Sequence, residues 1–124
     1  MLLDTHVVLW WQENSSDLAD EIRAVIHAAD EVYVSAASAW EAEIKRSLGK
    51  LRFPHSFVDV LEPNGFRELP VTMRYAAATA TLGMHHRDPF DRILVTQALV
   101  EDCILVTADR RLARYGVKVM YAGR

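Results

Sequence analysis

The sequence predicts an α/β domain of three layers, in which helices cover both faces of a central, mainly parallel sheet. Short apolar runs alternate with stretches of helical periodicity along the 124 residues. The apolar runs are continuous and do not alternate with polar residues, which is typical of strands buried on both faces. Because 51% of the residues are hydrophobic, there is enough apolar material for one core, and we expect a single domain over residues 1–124.

The first half of the chain predicts two strands and three helices. Short runs rich in leucine, valine and tyrosine favour strands, whereas apolar residues spaced three or four apart favour helices. Ser16 or Asp17 is the expected N-cap of the second helix, and Gly49 suits the end of the third. The predicted elements are a strand at 1–3, a helix that begins after Asp4, a helix over 18–29, a strand at 32–35 and a helix over 36–48.

The second half of the chain continues this alternation. Phe57, Val58 and Leu61 are expected to form the buried stripe of a short helix, and 63–65 is expected to be a turn because Asn and Gly tolerate positive φ. The alanine-rich segment 72–82 suits a helix packed closely against a neighbour. The other predicted elements are a helix over 54–61, a strand at 66–69, a helix after Asp88, a strand at 104–106, a short helix at 110–115 and a strand at 117–121.

The segment 85–92 contains a well-defined helix start. Asp88 is a good N-cap, Pro89 suits the first helical position because its φ is fixed and it lacks an N–H, and Asp91 falls in the first turn. Helix capping alone explains the presence of both acids, although Ser or Asn would cap the helix equally well. Similar cap interpretations exist for other acids, namely Asp4 and Asp109 before short helices and Glu41 in a Ser-x-x-Glu capping box with Ser38.

Four acids follow predicted strands or begin the helices after them, namely Asp4, Glu41, Asp91 and Asp109. Because ligand sites in parallel sheets form outside the carboxyl ends of the strands, we expect these acids to converge on one rim. Carboxylates in one cleft raise one another's pKa, and a bound cation relieves their repulsion. Oxygen ligands suit Mg²⁺ or Mn²⁺, and one ion, or two ions roughly 3.5–4 Å apart, would promote phosphodiester hydrolysis.

Composition and charge exclude several classes of protein. The net charge of −3 gives no indication of nucleic-acid binding by bulk electrostatics, so local groups or bound cations would have to attract a polyanion. No apolar stretch approaches the roughly 20 residues of a membrane-spanning helix, and the N-terminus does not resemble a secretory signal, so we expect a cytoplasmic protein without membrane contact. The single cysteine, Cys103, excludes an internal disulfide.

Four sequence blocks are spread over nearly the whole chain. They are Leu-Leu-Asp-Thr-His at 2–6, Val-Ser-Ala-Ala-Ser-Ala-Trp-Glu at 34–41 with Ile-Lys at 44–45, His-Arg-Asp-Pro-Phe-Asp-Arg at 86–92, and Leu-Val-Thr-Ala-Asp at 105–109. In this order and spacing, the set resembles the PIN-domain ribonucleases of the VapC type, the toxins of bacterial toxin–antitoxin pairs. Each block by itself is a weak signal, whereas the set is specific.

The resemblance implies a PIN-like fold and an Mg²⁺- or Mn²⁺-dependent endoribonuclease that hydrolyses phosphodiester bonds of RNA. It also implies a homodimer and a cognate antitoxin of the VapB type, whose C-terminal segment wraps the toxin and blocks its acidic cleft. Carried over position by position, the catalytic and metal-binding acids of the family fall on Asp4, Glu41, Asp91 and Asp109. The residues expected to support these acids are Asp88, Thr107 and Thr5.

Basic residues near the acids are candidates for contacts with RNA phosphates. Arg92 and Arg87 lie closest in sequence to the central acids, and Lys45 follows Glu41 on the same predicted helix. Charged residues on helices are, however, commonly just a solvated face. Tryptophans at 10, 11 and 40 could stack on unpaired bases, but their helical spacing favours packing in the core or in a dimer.

Three other interpretations of these residues stay open. His85, His86 and Asp88, together with His6, could belong to a zinc site, which rescue of a chelated sample by Zn²⁺ alone would support. A phosphatase or a phosphoacceptor receiver shares the acid at a strand end, but a second acid two residues after Asp4 is missing. A non-catalytic PIN-like module that binds RNA or protein is the main alternative, and absence of Mg²⁺-dependent RNA cleavage would favour it.

Overall fold

The computed structural model describes residues 1–85 and 87–124, and it confirms the α/β fold with a central parallel sheet. The strands are β1 Leu2–Leu3, β2 Tyr33–Ser35, β3 Arg67–Leu69, β4 Leu105–Thr107 and β5 Val119–Tyr121. They lie in the order β3-β2-β1-β4-β5, and each pair of neighbours is parallel. His86, which belongs to the third sequence block and to the zinc interpretation, lies outside the described residues.

Helices connect the strands, as a parallel sheet requires. Within the described part of the chain they are α1 Thr5–Gln12, α2 Asp20–Ala28, α3 Ala36–Ser47, α4 Leu61–Asn64, α5 Met73–Ala78 and α6 Pro89–Val100. A short 3₁₀ segment at Phe57–Val60 precedes α4, and another at Thr79–Thr81 follows α5. The 3₁₀ segment Arg110–Tyr115 connects β4 to β5. None of the helices found in residues 1–85 and 87–124 is long and apolar enough to cross a membrane.

Two apolar clusters hold the helices against the sheet. Successive residues of a strand point to opposite faces, so Leu3 and Leu2 of β1 belong to different clusters. Leu3 packs in a cluster with Val7 and other side chains of α1, α2 and α3, whereas Leu2 packs with Leu94 and its neighbours in α6. Both β1 side chains are completely buried, which explains why this strand is apolar at every position.

The connections change direction across the sheet at β1. Strands β2 and β3 lie on one side of β1, and β4 and β5 lie on the other. Such a reversal opens a crevice outside the carboxyl ends of the two central strands, which is the usual ligand position in open parallel sheets. The register pairs Leu3 with Val106, so the next residues, Asp4 and Thr107, are neighbours at that edge.

The start of α2 differs from the prediction. Neither Ser16 nor Asp17 caps the helix, which begins only at Asp20. The N–H of Ala19 donates to the carbonyl oxygen of Ala122 at 2.8 Å, and this bond to the C-terminal segment keeps the preceding backbone extended. The helix therefore starts later than local capping signals indicate.

The segment between α3 and β3 also differs from the single helix predicted over 54–61. A 3₁₀ turn, Phe57–Val60, leads into α4, and its three-residue repeat changes which side chains face inward. Val60 is buried, whereas Val58, predicted to be buried, is 55% exposed. The turn expected after this segment is the end of α4, where Gly65 adopts a φ of 66°.

Helix α5 is shorter and more exposed than predicted over 72–82. Thr72 caps it by accepting the N–H of Tyr75, and the helix gives way to a 3₁₀ turn after Ala78. The ring of Tyr75 is buried, but the methyl groups of Ala76 and Ala77 are exposed. The expectation of close packing is therefore wrong for Ala76 and Ala77, whereas Ala78 is half-buried.

Candidate active site

The four acids predicted to be catalytic line one cleft of about 680 Å³ at the carboxyl edge of the sheet. The cleft walls come from the end of β1, from α1, α3 and α6, and from the segment after β4. The lining residues are Asp4, His6, Trp10, Glu41, Lys45, Asp88, Asp91, Ala108, Asp109, Arg110 and Arg111. The structure thus brings together acids that are far apart in the sequence.

Asp4 lies directly after β1 and is only 9% exposed. Its Oδ1 accepts the N–H of Val7 at 3.0 Å, which caps α1, and the hydroxyl of Thr107 also hydrogen-bonds the carboxylate. Burial raises the pKa of Asp4 and Glu41 adds to the rise, while the two hydrogen bonds and nearby His6 oppose it. The carboxylate is therefore fixed in an environment that favours neutralisation of its charge.

Glu41 lies on the buried side of α3 and is 4% exposed. Its Oε1 accepts a hydrogen bond from Oγ1 of Thr5 at 2.5 Å, and its Oε2 accepts one from Nζ of Lys45 at 2.7 Å. The capping-box interpretation with Ser38 is wrong, because the N-cap of α3 is Ser35 and Glu41 lies beyond the first turn. Thr5 thus hydrogen-bonds an acid of the cleft directly.

Asp88 and Asp91 occupy the start of α6. Asp88 is the N-cap, with its Oδ1 accepting the N–H of Phe90 at 2.9 Å, and Pro89 is the first helical residue, which confirms the predicted helix start. Burial raises the pKa of Asp91 to about 7. The carboxylates that add to this rise are, in order of effect, Asp88, Glu41, Asp4 and Asp109. The raised pKa of Asp91 therefore reflects its burial first and the negative charge of the cleft second.

Asp109 follows β4 and caps the 3₁₀ segment after it. Its Oδ1 accepts the backbone N–H and Nε of Arg111, both at 2.9 Å, and its Oδ2 accepts Nη2 of the same arginine at 2.7 Å. Oγ1 of Thr107, which is completely buried, accepts the N–H of Asp109 at 3.0 Å. Because that hydroxyl also bonds Asp4, Thr107 connects two acids of the cleft.

The donor chemistry of the cleft fits a hard divalent cation. Its acids supply only oxygen atoms, and no cysteine lines it. In the conformation seen, basic side chains hold some of these oxygens, and no three His, Cys, Asp or Glu side chains among residues 1–85 and 87–124 form a ready ligand set. A cation would therefore compete with Lys45 and Arg111 for the carboxylates.

The described residues give no support to the zinc interpretation. His85 packs edge-on against Tyr115, with ring centroids 5.0 Å apart, and does not line the cleft. His6 does line the cleft, where its ring lies 6.5 Å from that of Trp10.

The structure assigns Arg92 a different environment from the phosphate contact predicted for it. Its guanidinium donates to the carbonyl oxygens of Thr79 at 3.2 Å and Gly83 at 2.9 Å, and so holds the loop before α6. Neither Arg92 nor Arg87, which is exposed, is among the residues lining the cleft. Of the three predicted phosphate contacts, Lys45 is therefore the one that lines the cleft.

Four charged or aromatic residues that line the cleft lie outside the predicted site, namely His6, Trp10, Arg110 and Arg111. Trp10 was expected in the core or a dimer, but its partly buried ring also forms part of the cleft wall. The sequence suggests His6 only as a zinc ligand, and Arg110 and Arg111 are not among the predicted phosphate contacts. Their closeness in sequence to predicted acids could have indicated two of these residues, because His6 lies two residues after Asp4 and Arg111 two residues after Asp109.

The comparisons with known proteins agree on one protein family. The model of the PIN domain matches residues 1–118. The chain is 35% identical over 118 residues to Ribonuclease VapC22 of Mycobacterium tuberculosis, an alignment that covers 90% of this chain and 88% of the relative.

Solved structures share the fold at low sequence identity. One, of VapBC2 from Rickettsia felis bound to a DNA fragment from their promoter, matches with a TM-score of 0.72 and 12% identity over 98% of this chain and 97% of that chain. Another, of FitAcB from Neisseria gonorrhoeae, matches with a TM-score of 0.66 and 18% identity over 96% and 95% of the two chains. At such identities the likeness concerns the fold alone.

Proposed function

The chain belongs to the PIN-domain family, and on that premise we propose that it is a divalent-metal-dependent endoribonuclease, the toxin of a toxin–antitoxin pair. The observation that carries the proposal is the convergence of Asp4, Glu41, Asp91 and Asp109 in one cleft. The similarity to Ribonuclease VapC22 over most of both chains supports RNA as the substrate.

We assign the four acids as the residues that hold the cation. Mg²⁺ is the first choice and Mn²⁺ the second, because both prefer oxygen ligands and are commonly held by carboxylates together with substrate phosphate. When bound, the ion supplies Lewis acidity at the phosphodiester and makes water a stronger nucleophile. Burial raises the pKa of Asp91 and four neighbouring carboxylates add to the rise; the negative potential of these carboxylates also attracts a cation, which supports the assignment.

Other residues prepare the cleft for this chemistry. Thr5 and Thr107 hydrogen-bond the carboxylates of Glu41 and Asp4 and so orient them in the cleft. Asp88 fixes the start of α6 and thereby the position of Asp91. The acidic cleft repels RNA unless its charge is compensated, so cation binding and substrate binding are expected to be coupled.

We further propose that the protein forms a homodimer and is neutralised by a cognate antitoxin of the VapB type. The structures of similar fold include VapBC2 and FitAcB, and the VapC relative supports the same pairing for this chain. A short open reading frame next to the gene, encoding a small DNA-binding protein with an extended tail, would be the expected partner.

The activity is tested with purified protein and end-labelled tRNA, rRNA and synthetic hairpins, with EDTA or with added Mg²⁺ or Mn²⁺. Cleavage is expected only with the divalent ion. Asp91→Asn should lower kcat/KM by roughly 100- to 10,000-fold, because a bound ion contributes several kcal/mol to the barrier reduction. Asp59→Asn removes an exposed acid from the first turn of another helical segment and should leave the rate unchanged.

Two results of this assay would contradict the proposed nuclease activity of the cleft. If none of these RNAs is cut with either ion, the non-catalytic PIN-like module becomes the better explanation. Cleavage that Asp91→Asn retains would instead place the activity outside this cleft or in a contaminant.

A further inference from the structure

The tryptophans of the chain lie in different environments, and that of Trp11 is structural. Its Nε1 donates to Oδ1 of Asn64 at 3.0 Å, and its ring packs against that of Phe66, with the ring centroids 5.5 Å apart. The guanidinium of Arg23 lies over the same ring, 5.4 Å from its centroid. Both the polar atom and the ring of Trp11 are therefore used within the fold.

Trp40 is exposed, but it borders a different part of the surface. Its ring meets that of Phe90 edge-on, with the centroids 5.2 Å apart, in an apolar groove between α3, α5 and α6. Trp40 is not among the residues that line the acidic cleft.

Trp10 lines the acidic cleft itself. One part of its side chain packs on the apolar cluster around Leu3, and the rest is accessible in the cleft wall. The ring of His6, one turn earlier on α1, is tilted by 43° at a centroid distance of 6.5 Å, so it does not stack flat on the indole. Within residues 1–85 and 87–124 the indole N–H of Trp10 donates no hydrogen bond, in contrast to that of Trp11.

Resting on the proposed function, we propose that Trp10 is a specificity-determining residue that stacks on an unpaired base of the RNA next to the scissile phosphate. Asp4 caps α1, and Trp10 lies about 9 Å farther along the axis of this helix. A phosphate held at the acids therefore brings a neighbouring nucleotide to the indole. A paired base is already stacked within its own duplex, so the contact selects RNA with unpaired bases.

Basic side chains of the same cleft complement the aromatic ring. Arg110 and Arg111 line the cleft from the segment after β4 and are both exposed. The guanidinium of Arg110 lies 4.2 Å from the ring centroid of Tyr121. Cationic groups that follow the backbone, together with an aromatic ring on which a base stacks, are the usual combination in sites for single-stranded nucleic acid.

The first test uses a synthetic RNA hairpin that the wild-type protein cleaves with Mg²⁺, in which each loop nucleotide is replaced in turn by an abasic one. At one position next to the cleaved bond, the abasic change should raise KM by about tenfold or more. Trp10→Leu should raise KM for the intact hairpin by a similar factor and should no longer respond to the abasic change. Trp10→Phe keeps an aromatic ring and should retain most of the wild-type affinity.

Two further measurements distinguish stacking from a structural role. Trp11→Leu removes a tryptophan of the same helix, so it should lower the Tm but leave KM and the abasic response unchanged. Trp10→Leu removes no charge, so the slope of log KM against log salt should stay as in wild type.

Binding without cleavage is followed with a short oligouridine that contains a single 2-aminopurine, with Ca²⁺ in place of Mg²⁺. Stacking quenches the fluorescence of 2-aminopurine, so the wild-type protein should lower the emission. Saturating Trp10→Leu should lower it much less.

The outcomes separate this inference from the proposed function. A wild-type protein that cuts a fully paired duplex as fast as the hairpin, or that tolerates an abasic nucleotide at every loop position, would overturn the stacking role and leave the nuclease proposal standing. An abasic effect as large in Trp10→Leu as in wild type would do the same. A wild-type protein that cuts no RNA would overturn the proposed function, and the 2-aminopurine emission would then decide separately whether Trp10 stacks on a base. The measurements on the wild-type protein are decisive even if Trp10→Leu fails to fold.

Discussion

Three acids of the cleft are also helix N-caps. Asp4, Asp88 and Asp109 each accept a backbone N–H from the helical segment that follows. The coincidence has a physical reason: in a parallel sheet the connecting helices begin where the strands end, so a capping carboxylate and a cleft carboxylate occupy the same place. Capping and site membership are therefore compatible, and local sequence alone does not separate them.

The charge of Asp91 opposes folding. Burial and neighbouring carboxylates raise its pKa from 3.8 to about 7, so the native state binds a proton where the unfolded chain has released it. The free energy of unfolding without metal should therefore decrease as the pH rises from about 5 to about 8. Asp91→Asn should flatten this dependence and, allowing for solvent screening, stabilise the protein at the upper pH by about 1 kcal/mol.

Urea unfolding in EDTA across this pH range measures the effect. Asp59→Asn, which removes an exposed acid outside the cleft, should keep the wild-type pH dependence. An Asp91→Asn variant with the wild-type slope would contradict the raised pKa. A large loss of stability in that variant would instead show that the carboxylate serves mainly the first turn of α6.

The acids of the cleft were predictable, but most of their partners were not. Each acid lies next to a strand end or a helix start, and such positions can be recognised from a few neighbouring residues. The bond from Thr5 to Glu41 joins α1 to α3, and only the tertiary structure brings these side chains together. The environment of Arg92 was not predictable for the same reason, because the carbonyl groups that bind it belong to a segment whose path the sequence does not reveal.

At the start of α6, the capping role of Asp88 can be tested separately from its contribution to the negative charge of the cleft. Asp88 accepts the N–H of Phe90 and also raises the pKa of Asp91. Asp88→Asn keeps the cap and removes the charge, whereas Asp88→Ala removes both. The alanine variant should therefore be about 1 kcal/mol less stable than the asparagine variant in metal-free urea unfolding. Equal stability of the two would mean that the cap contributes nothing to the fold.

Helices whose ends depend on local capping were predicted well, and those that depend on distant contacts were not. The start of α6 follows from Asp88 and Pro89 alone. The start of α2 is displaced by the bond from Ala19 to Ala122, which joins opposite ends of the chain. The 3₁₀ turn before α4 similarly replaces a helical repeat by a tighter one, and Val58 turns outward as a result.

The convergence of the four acids is a property of the topology. Strands β1 and β4 are adjacent although most of the chain separates them, and the helices after β1 and β2 begin at the same edge. Continuous apolar runs identify parallel strands, and parallel strands place their carboxyl ends together, so this much followed from the sequence. The strand order and the register of Leu3 with Val106, which make Asp4 and Thr107 neighbours, required the structure.

Cation binding should stabilise the whole molecule, because only the folded chain gathers the cleft acids and the dispersed carboxylates of the unfolded chain bind weakly. At 100 times its Kd, an ion bound only by the folded state contributes about 2.7 kcal/mol. For a chain of this length the Tm should rise by roughly 10 °C. Excess EDTA should reverse the rise, Asp91→Asn should abolish it, and Asp59→Asn should keep it.

The comparison needs no RNA, so it tests the cleft as a cation site independently of catalysis. A rise that Asp91→Asn retains would show that the ion binds elsewhere, and the convergence of the acids would then no longer support a metal-dependent nuclease.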